Sequence, residues 1–204
     1  MKQPIIVAHR INKISELTNV PSRYGVEIDV RHDKATDSLY LSHDIGQPGL
    51  TYDSLDEYLK HFNHRFVIFN IKEAGIEERC IALAAQFGIP RANYFLLDVE
   101  FPYLYRASRQ DKIRELAARY SEAEPIEFAE AQRGFVDWVW IDTNTRLSLD
   151  LTSPKKLAGF KTALVSPDRW GRPEDIPAYR AALEAIDFNL DLVMCSLEQA
   201  RSWE

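Results

Sequence analysis

The sequence predicts an α/β fold, a compact (β/α)8 (TIM) barrel formed by residues 1–204 as a single domain. Short apolar runs rich in β-branched and aromatic residues recur along the chain, and segments with helical spacing of apolar residues separate them. No central break divides these repeats, which favours a closed barrel over an open doubly wound sheet. Because about 250 residues are typical of this fold, several helices should be short or replaced by loops.

The predicted strands are short apolar runs bounded by polar or turn-forming residues. In chain order they are Ile5 to Ala8, Val26 to Val30, Phe66 to Ile71, Tyr94 to Val99, a weaker run near Ala118 to Ser121, Trp138 to Ile141, Thr162 to Val165 and Leu192 to Cys195. A further run, Leu39 to Ser42, follows the turn-rich letters DKATDS. It predicts a hairpin excursion after the second strand.

The predicted helices lie between these runs, where apolar residues recur with a spacing of three and four. They are Asp53 to Phe62, Ile76 to Phe87, Lys112 to Ala117, Ile126 to Gln132 and Ile176 to Ala185. Thr51, Asp53 or Ser54 is a suitable cap for the first of them. Strand and helix therefore alternate as a barrel requires.

Composition limits the kinds of binding partner and the cellular compartment that the sequence predicts. A formal net charge of -6 gives no general attraction to nucleic acid or to an anionic membrane. The two cysteines are far apart and outside any ligand spacing, and the sequence shows neither a signal-peptide pattern nor an apolar run long enough to cross a membrane. We therefore expect a cytoplasmic protein that acts on a small molecule; the sequence does not predict its oligomeric state.

Two acids share one face of the second predicted strand. In the letters VEIDVR, Glu27 and Asp29 are two residues apart and point to the same side, while β-branched residues cover the other side. On an isolated strand this pattern would indicate a half-exposed surface. Two neighbouring acids that are buried instead need a cation, and their hard oxygen atoms favour Mg²⁺ or Ca²⁺.

The other strand ends supply basic and imidazole groups. Active sites of (β/α)8 barrels form at the carboxyl ends of the strands, so the polar residues that close each run should converge. The first strand ends in His9 and Arg10, the excursion ends near His43, and the third strand ends in Lys72. Paired imidazoles suit proton transfer at phosphorus, and cations neutralise phosphate oxygens. The set predicts a phosphodiester site, with Asn70, Arg119 and Trp140 as further candidates at its rim.

The ordered motifs resemble a known family. The letters AHR, EIDVR, LYLSHD and NIK, in this order and spacing over roughly the first 72 residues, are similar to those of the glycerophosphodiester phosphodiesterases. These enzymes belong to the phospholipase-C-like phosphodiesterase barrels. The resemblance implies metal-dependent hydrolysis of a glycerol-type phosphodiester, in some members through a cyclic phosphate.

The resemblance also implies residue roles. It assigns acid and base to His9 and His43, the cation to Glu27, Asp29 and the position of Asn70, and the phosphate to Arg10 and Lys72. Arg119 and Trp140 are candidate substrate contacts.

The chain departs from the family pattern at the first and third strands. The family usually has Gly after the His-Arg pair, where this chain has Ile11, and a Glu-Asn pair shortly afterwards, which this chain lacks. The family also has Glu where this chain has Asn70, so one negative metal ligand is missing. Two alternatives therefore stay open. One is a barrel that has weak or no activity and binds a phosphorylated ligand or partner, and the other is a transphosphorylase that releases a cyclic phosphate.

Overall fold

Parallel strands and short helices alternate along residues 3–204, which the structure, a computed structural model, describes. The strands are β1 (Ile5–Ala8), β2 (Gly25–Asp33), β3 (Ser38–Leu41), β4 (Phe66–Ile71), β5 (Tyr94–Leu97), β6 (Ala117–Tyr120), β7 (Trp138–Ile141), β8 (Lys161–Val165) and β9 (Leu192–Cys195). The helices are α1 (Ile14–Leu17), α2 (Leu55–Lys60), α3 (Glu77–Gln86), α4 (Phe101–Arg109), α5 (Ile126–Glu130), α6 (Ser153–Lys156), α7 (Ile176–Ala185) and α8 (Ala200–Trp203).

The strands form a parallel barrel. Their order is β5-β4-β2-β1-β9-β8-β7-β6, and β3 pairs antiparallel with β2 outside this path. The two end strands meet at one bridge, Leu96 with Leu116, where the Leu96 N–H donates to the Glu115 carbonyl oxygen at 2.9 Å. The predicted (β/α)8 barrel is therefore confirmed, and β3 is the predicted hairpin excursion.

Alternation along each strand divides the apolar residues between two cores. One core lies between the strands and the helices and includes Val26, Ile28 and Val30. The other fills the barrel interior with a cluster that includes Phe66, Ile68, Phe95, Trp138 and Trp140. Glu27 pairs in register with Ile68 and Asp29 with Asn70. The two acids of β2 therefore face the barrel interior at its carboxyl end.

Gly25 begins β2 at a position where only glycine fits. A Cβ atom there would lie 2.7 Å from the Phe66 carbonyl oxygen and 2.9 Å from a Val7 methyl carbon. Neither atom belongs to a flexible side-chain end, so β2 would have to shift. We expect Gly25→Ala to lower the free energy of unfolding by roughly 1–3 kcal/mol in urea titrations. An unchanged unfolding midpoint would show that β2 does not pack this closely.

One predicted helix is wrong, and helices α1, α4, α6 and α8 were not predicted. Residues 112–116 are not helical, because Leu116 bridges to Leu96 and β6 begins at Ala117. The apolar spacing there resembles a helix, but closure of the barrel requires extended backbone. The helix of this repeat is α4, which has a proline in its first turn and apolar residues on its inner side.

Several helices are short, as the chain length predicts. Helices α1, α6 and α8 have four residues each. Loops replace the rest of the outer layer, and the loops at the carboxyl ends of the strands carry the polar residues described below. No helix between residues 3 and 204 has the length and apolar character that a membrane span requires.

Candidate active site

Glu27 is buried and accepts hydrogen bonds from two protein groups. Its exposed fraction is 1%. Its Oε1 accepts a hydrogen bond from Asn70 Nδ2 at 2.8 Å, and its Oε2 accepts one from the Arg10 N–H at 2.8 Å. Burial, and then the neighbouring charge of Asp29, raises the pKa of Glu27 above its usual range, while these hydrogen bonds oppose the increase. A positive charge nearby would therefore stabilise the two buried acids.

Asp29 is held by an amide and an ammonium group. Asn12 Nδ2 donates to its Oδ2 at 2.8 Å, and Asn12 Oδ1 accepts from the Asp29 N–H at 2.8 Å. Lys72 Nζ lies 3.1 Å from Asp29 Oδ1 as an ion pair without hydrogen-bond geometry. Asn12 has no assigned role in the sequence analysis, because an asparagine just after a strand has many local uses.

His9 ends β1 beside Glu27. Its backbone N–H donates to the Cys195 carbonyl oxygen at 3.0 Å. Its ring atom Nε2 lies 3.9 Å from Glu27 Oε2, beyond hydrogen-bond distance. Arg10 follows with φ of 54°, an uncommon conformation for a side-chain-bearing residue, stabilised by its N–H bond to Glu27. The pKa of His9 is lowered to about 3 by burial and then by nearby positive charges, which are Arg169, Arg10, His43 and Lys72.

His43 lies on the loop after β3, where Arg31 and Asp44 position it. Arg31 donates from Nε and Nη2 to the His43 carbonyl oxygen at 3.2 and 2.8 Å, and it pairs with Glu73 at 3.2 Å. The ring Nδ1 lies 2.8 Å from Asp44 Oδ1, which leaves Nε2 free to meet a ligand. The side chain is 41% exposed. Beside it is a cleft of about 600 Å³ whose lining includes Arg10 and Asn12 but neither buried acid.

The hydrogen bonds of Arg31 predict that it positions the loop carrying His43. Without its two hydrogen bonds, the loop that carries His43 should move relative to His9. We expect Arg31→Ala to lower kcat by up to about 10²-fold with a smaller effect on KM, and Arg31→Lys to recover part of the loss. Steady-state kinetics measures both. Arg79→Ala is the control, because Arg79 binds Asp37 on the same hairpin; equal losses in the two variants would contradict the positioning role.

Arg119 and Trp140 form no hydrogen bond or ion pair with His9, Glu27, Asp29 or Lys72. Arg119 binds three carboxylates, Asp98 Oδ1 at 2.5 Å, Glu124 Oε1 at 2.6 Å and Asp142 Oδ2 at 3.0 Å. A phosphate would therefore have to displace one of them. Trp140 is 3% exposed and packs near Phe95 in the barrel interior. The substrate contacts predicted for these two residues stay predictions.

The acid pair fits one divalent cation only with help from Asn70. Among the described residues, no three His, Cys, Asp or Glu side chains form a group that would hold a metal by themselves. The buried Oδ1 atoms of Asp29 and Asn70 nevertheless accept no hydrogen bond. Together with Glu27 they offer the hard oxygen donors that Mg²⁺ and Ca²⁺ prefer, with Lys72 as a competing cation at Asp29.

Solved structures resemble the whole barrel. A glycerophosphodiester phosphodiesterase from Agrobacterium tumefaciens str. C58 aligns with a TM-score of 0.67 at 17% identity, covering 98% of this chain and 99% of that chain. A phosphodiesterase from Oleispira antarctica, solved in complex with the product sn-glycerol-3-phosphate, aligns with a TM-score of 0.61 at 16% identity, covering 98% and 96%. The chain has a glycerophosphodiester phosphodiesterase fold.

A second structure from Agrobacterium tumefaciens, a putative glycerophosphoryl diester phosphodiesterase, gives the same result. It aligns with a TM-score of 0.66 at 12% identity over 98% of this chain and 96% of that chain. No protein-family model and no curated protein sequence matches the chain. Within the glycerophosphodiester phosphodiesterase fold, the carboxyl end of the barrel holds His9, the acid pair and Lys72, where this architecture places active sites.

Proposed function

We propose that the protein hydrolyses phosphodiesters of the glycerophosphodiester type. The observation that carries this proposal is the group at the carboxyl end of the barrel, where His9 lies 3.9 Å from buried Glu27 and Lys72 pairs with buried Asp29. The fold shared with phosphodiesterases supports it. Such a group offers an imidazole, cations for phosphate oxygens and paired acids within one mouth.

The proposed roles follow from position. His9 and His43 exchange protons with the attacking and leaving oxygens, and Arg10 and Lys72 bind the phosphate. Arg31 and Asp44 orient His43, and Asn12 orients Asp29. Phosphoryl transfer depends chiefly on positioning and charge neutralisation. Side chains held in fixed positions, such as these, are therefore sufficient to catalyse it.

Glu27, Asp29 and Asn70 would hold a divalent cation, Mg²⁺ or Ca²⁺. When bound, the cation would neutralise developing charge on the phosphoryl oxygens. With two carboxylates and one amide, the site should bind it weakly, because an amide oxygen brings no charge. Asn70→Glu is therefore expected to tighten Mg²⁺ or Ca²⁺ binding in calorimetry; an equal or lower affinity would remove these residues from the proposed cation site.

A metal-dependent activity screen tests the proposed function. The purified protein is incubated with a panel of soluble phosphodiesters after chelation with EDTA, then with added Mg²⁺ or Ca²⁺. We expect turnover of glycerophosphodiesters that rises with the added cation. The absence of turnover with every diester and both cations would contradict the proposal.

A second candidate is a barrel that binds a phosphorylated ligand or partner without hydrolysing it. It is favoured by the contacts that already engage the acids, namely Asn70 with Glu27, and Lys72 with Asp29. The same screen, combined with calorimetry of phosphate binding, separates the two candidates. A binding barrel would show phosphate affinity without turnover.

A further inference from the structure

The turn after β8 is fixed beside the carboxyl end of β9. This turn, Pro167–Trp170, is a short 3-10 helix. Asp168 Oδ2 accepts a hydrogen bond from the Ser196 N–H at 2.9 Å, just after β9. Trp203 Nε1 donates to Ser166 Oγ at 2.8 Å, just before the turn. These contacts from two elements hold the turn in one place.

Arg169 in this turn has a guanidinium group without a partner among residues 3–204. Its Nε is buried and donates no hydrogen bond, and no ion pair or other hydrogen bond joins its side chain to those residues. Oδ2 of the adjacent acid, Asp168, accepts from the Ser196 N–H, and its buried Oδ1 forms no hydrogen bond with Arg169. A buried guanidinium N–H without an acceptor is costly, so an anion that accepts a hydrogen bond from it would stabilise the folded state.

Arg169 lies at the same end of the barrel as His9. Strand β9 separates β8 from β1, and the His9 N–H donates to the carbonyl oxygen of Cys195 at the end of β9. Among the charges that lower the pKa of His9, that of Arg169 has the largest effect, and its charge also acts on the pKa of Cys195. Lys72 follows β4, which is two strands away from β1 on the other side. The two cations therefore lie on opposite sides of His9.

We propose that Arg169 binds the phosphoryl group of the ligand from the β8 side, opposite Lys72. This inference rests on the proposed function, since it places the phosphorus next to His9. A guanidinium group suits the task because it donates two parallel hydrogen bonds to phosphate oxygens. The sequence does not predict this role: the letters VSPDRW end a predicted strand, but an arginine in a loop is common.

Inorganic phosphate is the probe that tests Arg169 directly. Its affinity is measured by calorimetry for the wild type, Arg169→Ala, Arg169→Gln and Arg169→Lys. We expect at least tenfold weaker binding in the first two variants and partial recovery in Arg169→Lys. The control is Arg65→Ala, because Arg65 is an exposed arginine at the amino-terminal end of β4 and should not affect binding. Unfolding midpoints report whether each variant is folded.

Two results would overturn the assignment: phosphate affinity in folded Arg169→Gln equal to that of the wild type, or no phosphate binding by the wild type at millimolar concentration. Parallel assays of diester hydrolysis keep this inference apart from the proposed function. Phosphate binding that depends on Arg169 without any hydrolysis would remove the proposed function and leave the binding role. Hydrolysis with unchanged KM and unchanged phosphate inhibition in Arg169→Gln would remove the binding role and leave the function.

Discussion

His9→Ala and His43→Ala are each expected to lower the rate of phosphodiester hydrolysis by about 10²–10⁴-fold, the usual contribution of a positioned acid or base. His9 lies beside Glu27 at the end of β1, and His43 is oriented by Asp44 with its Nε2 free. Neither ring is part of an apolar core. The loss should therefore appear in kcat while the unfolding midpoint stays close to that of the wild type.

The matched control for these variants is His61→Ala. His61 is an exposed histidine at the end of α2, where it pairs with Glu57 across one helical turn. Its removal should leave turnover unchanged. Full activity in both His9→Ala and His43→Ala would contradict the assignment of proton transfer to these residues.

Lys72→Met is expected to cause the largest loss of stability, roughly 3–5 kcal/mol, because it leaves a buried carboxylate without its cation. Asp29 is fully buried, and Lys72 Nζ at 3.1 Å is the ammonium group that pairs with it. The hydrogen bond from Asn12 remains but carries no formal charge. Urea titration of the folded variant measures the loss.

A second substitution tests the electrostatic cause. Asp29→Asn in the Lys72→Met background removes the buried charge and keeps an acceptor for Asn12, so it should recover much of the lost stability. Lys60→Met is the surface control, because the Lys60 pair with Glu57 is exposed and should leave the midpoint almost unchanged. If the double variant is as unstable as Lys72→Met, the loss arises from packing of the lysine side chain.

The sequence predicts the barrel because each strand carries its own local signal. Runs such as Trp138–Ile141 are apolar throughout, as strands buried on both faces must be. The segment 112–117 was assigned wrongly, because its apolar spacing fits a helix while the long-range bridge of Leu116 to Leu96 makes it extended. Such closure depends on residues distant in sequence, which local periodicity does not report.

The candidate site was predictable where polar side chains lie on a strand or directly after it. His9 and Lys72 follow β1 and β4, Glu27 and Asp29 lie within β2, and the structure brings them together. Residues whose role depends on their contacts in the folded protein cannot be predicted in the same way. Arg31 acts on a backbone carbonyl, and Arg169 is distinguished by the lack of a partner within the described residues, so both required the folded arrangement.

Phosphorus NMR of the reaction mixture shows directly whether the protein hydrolyses a phosphodiester. A soluble glycerophosphodiester is incubated with the wild type and Mg²⁺ or Ca²⁺, and the products are followed over time. We predict a growing phosphomonoester signal that is absent with His9→Ala. A cyclic phosphate that accumulates without monoester would indicate a transphosphorylase, and an unchanged diester signal under both cations would contradict phosphodiester chemistry at this site.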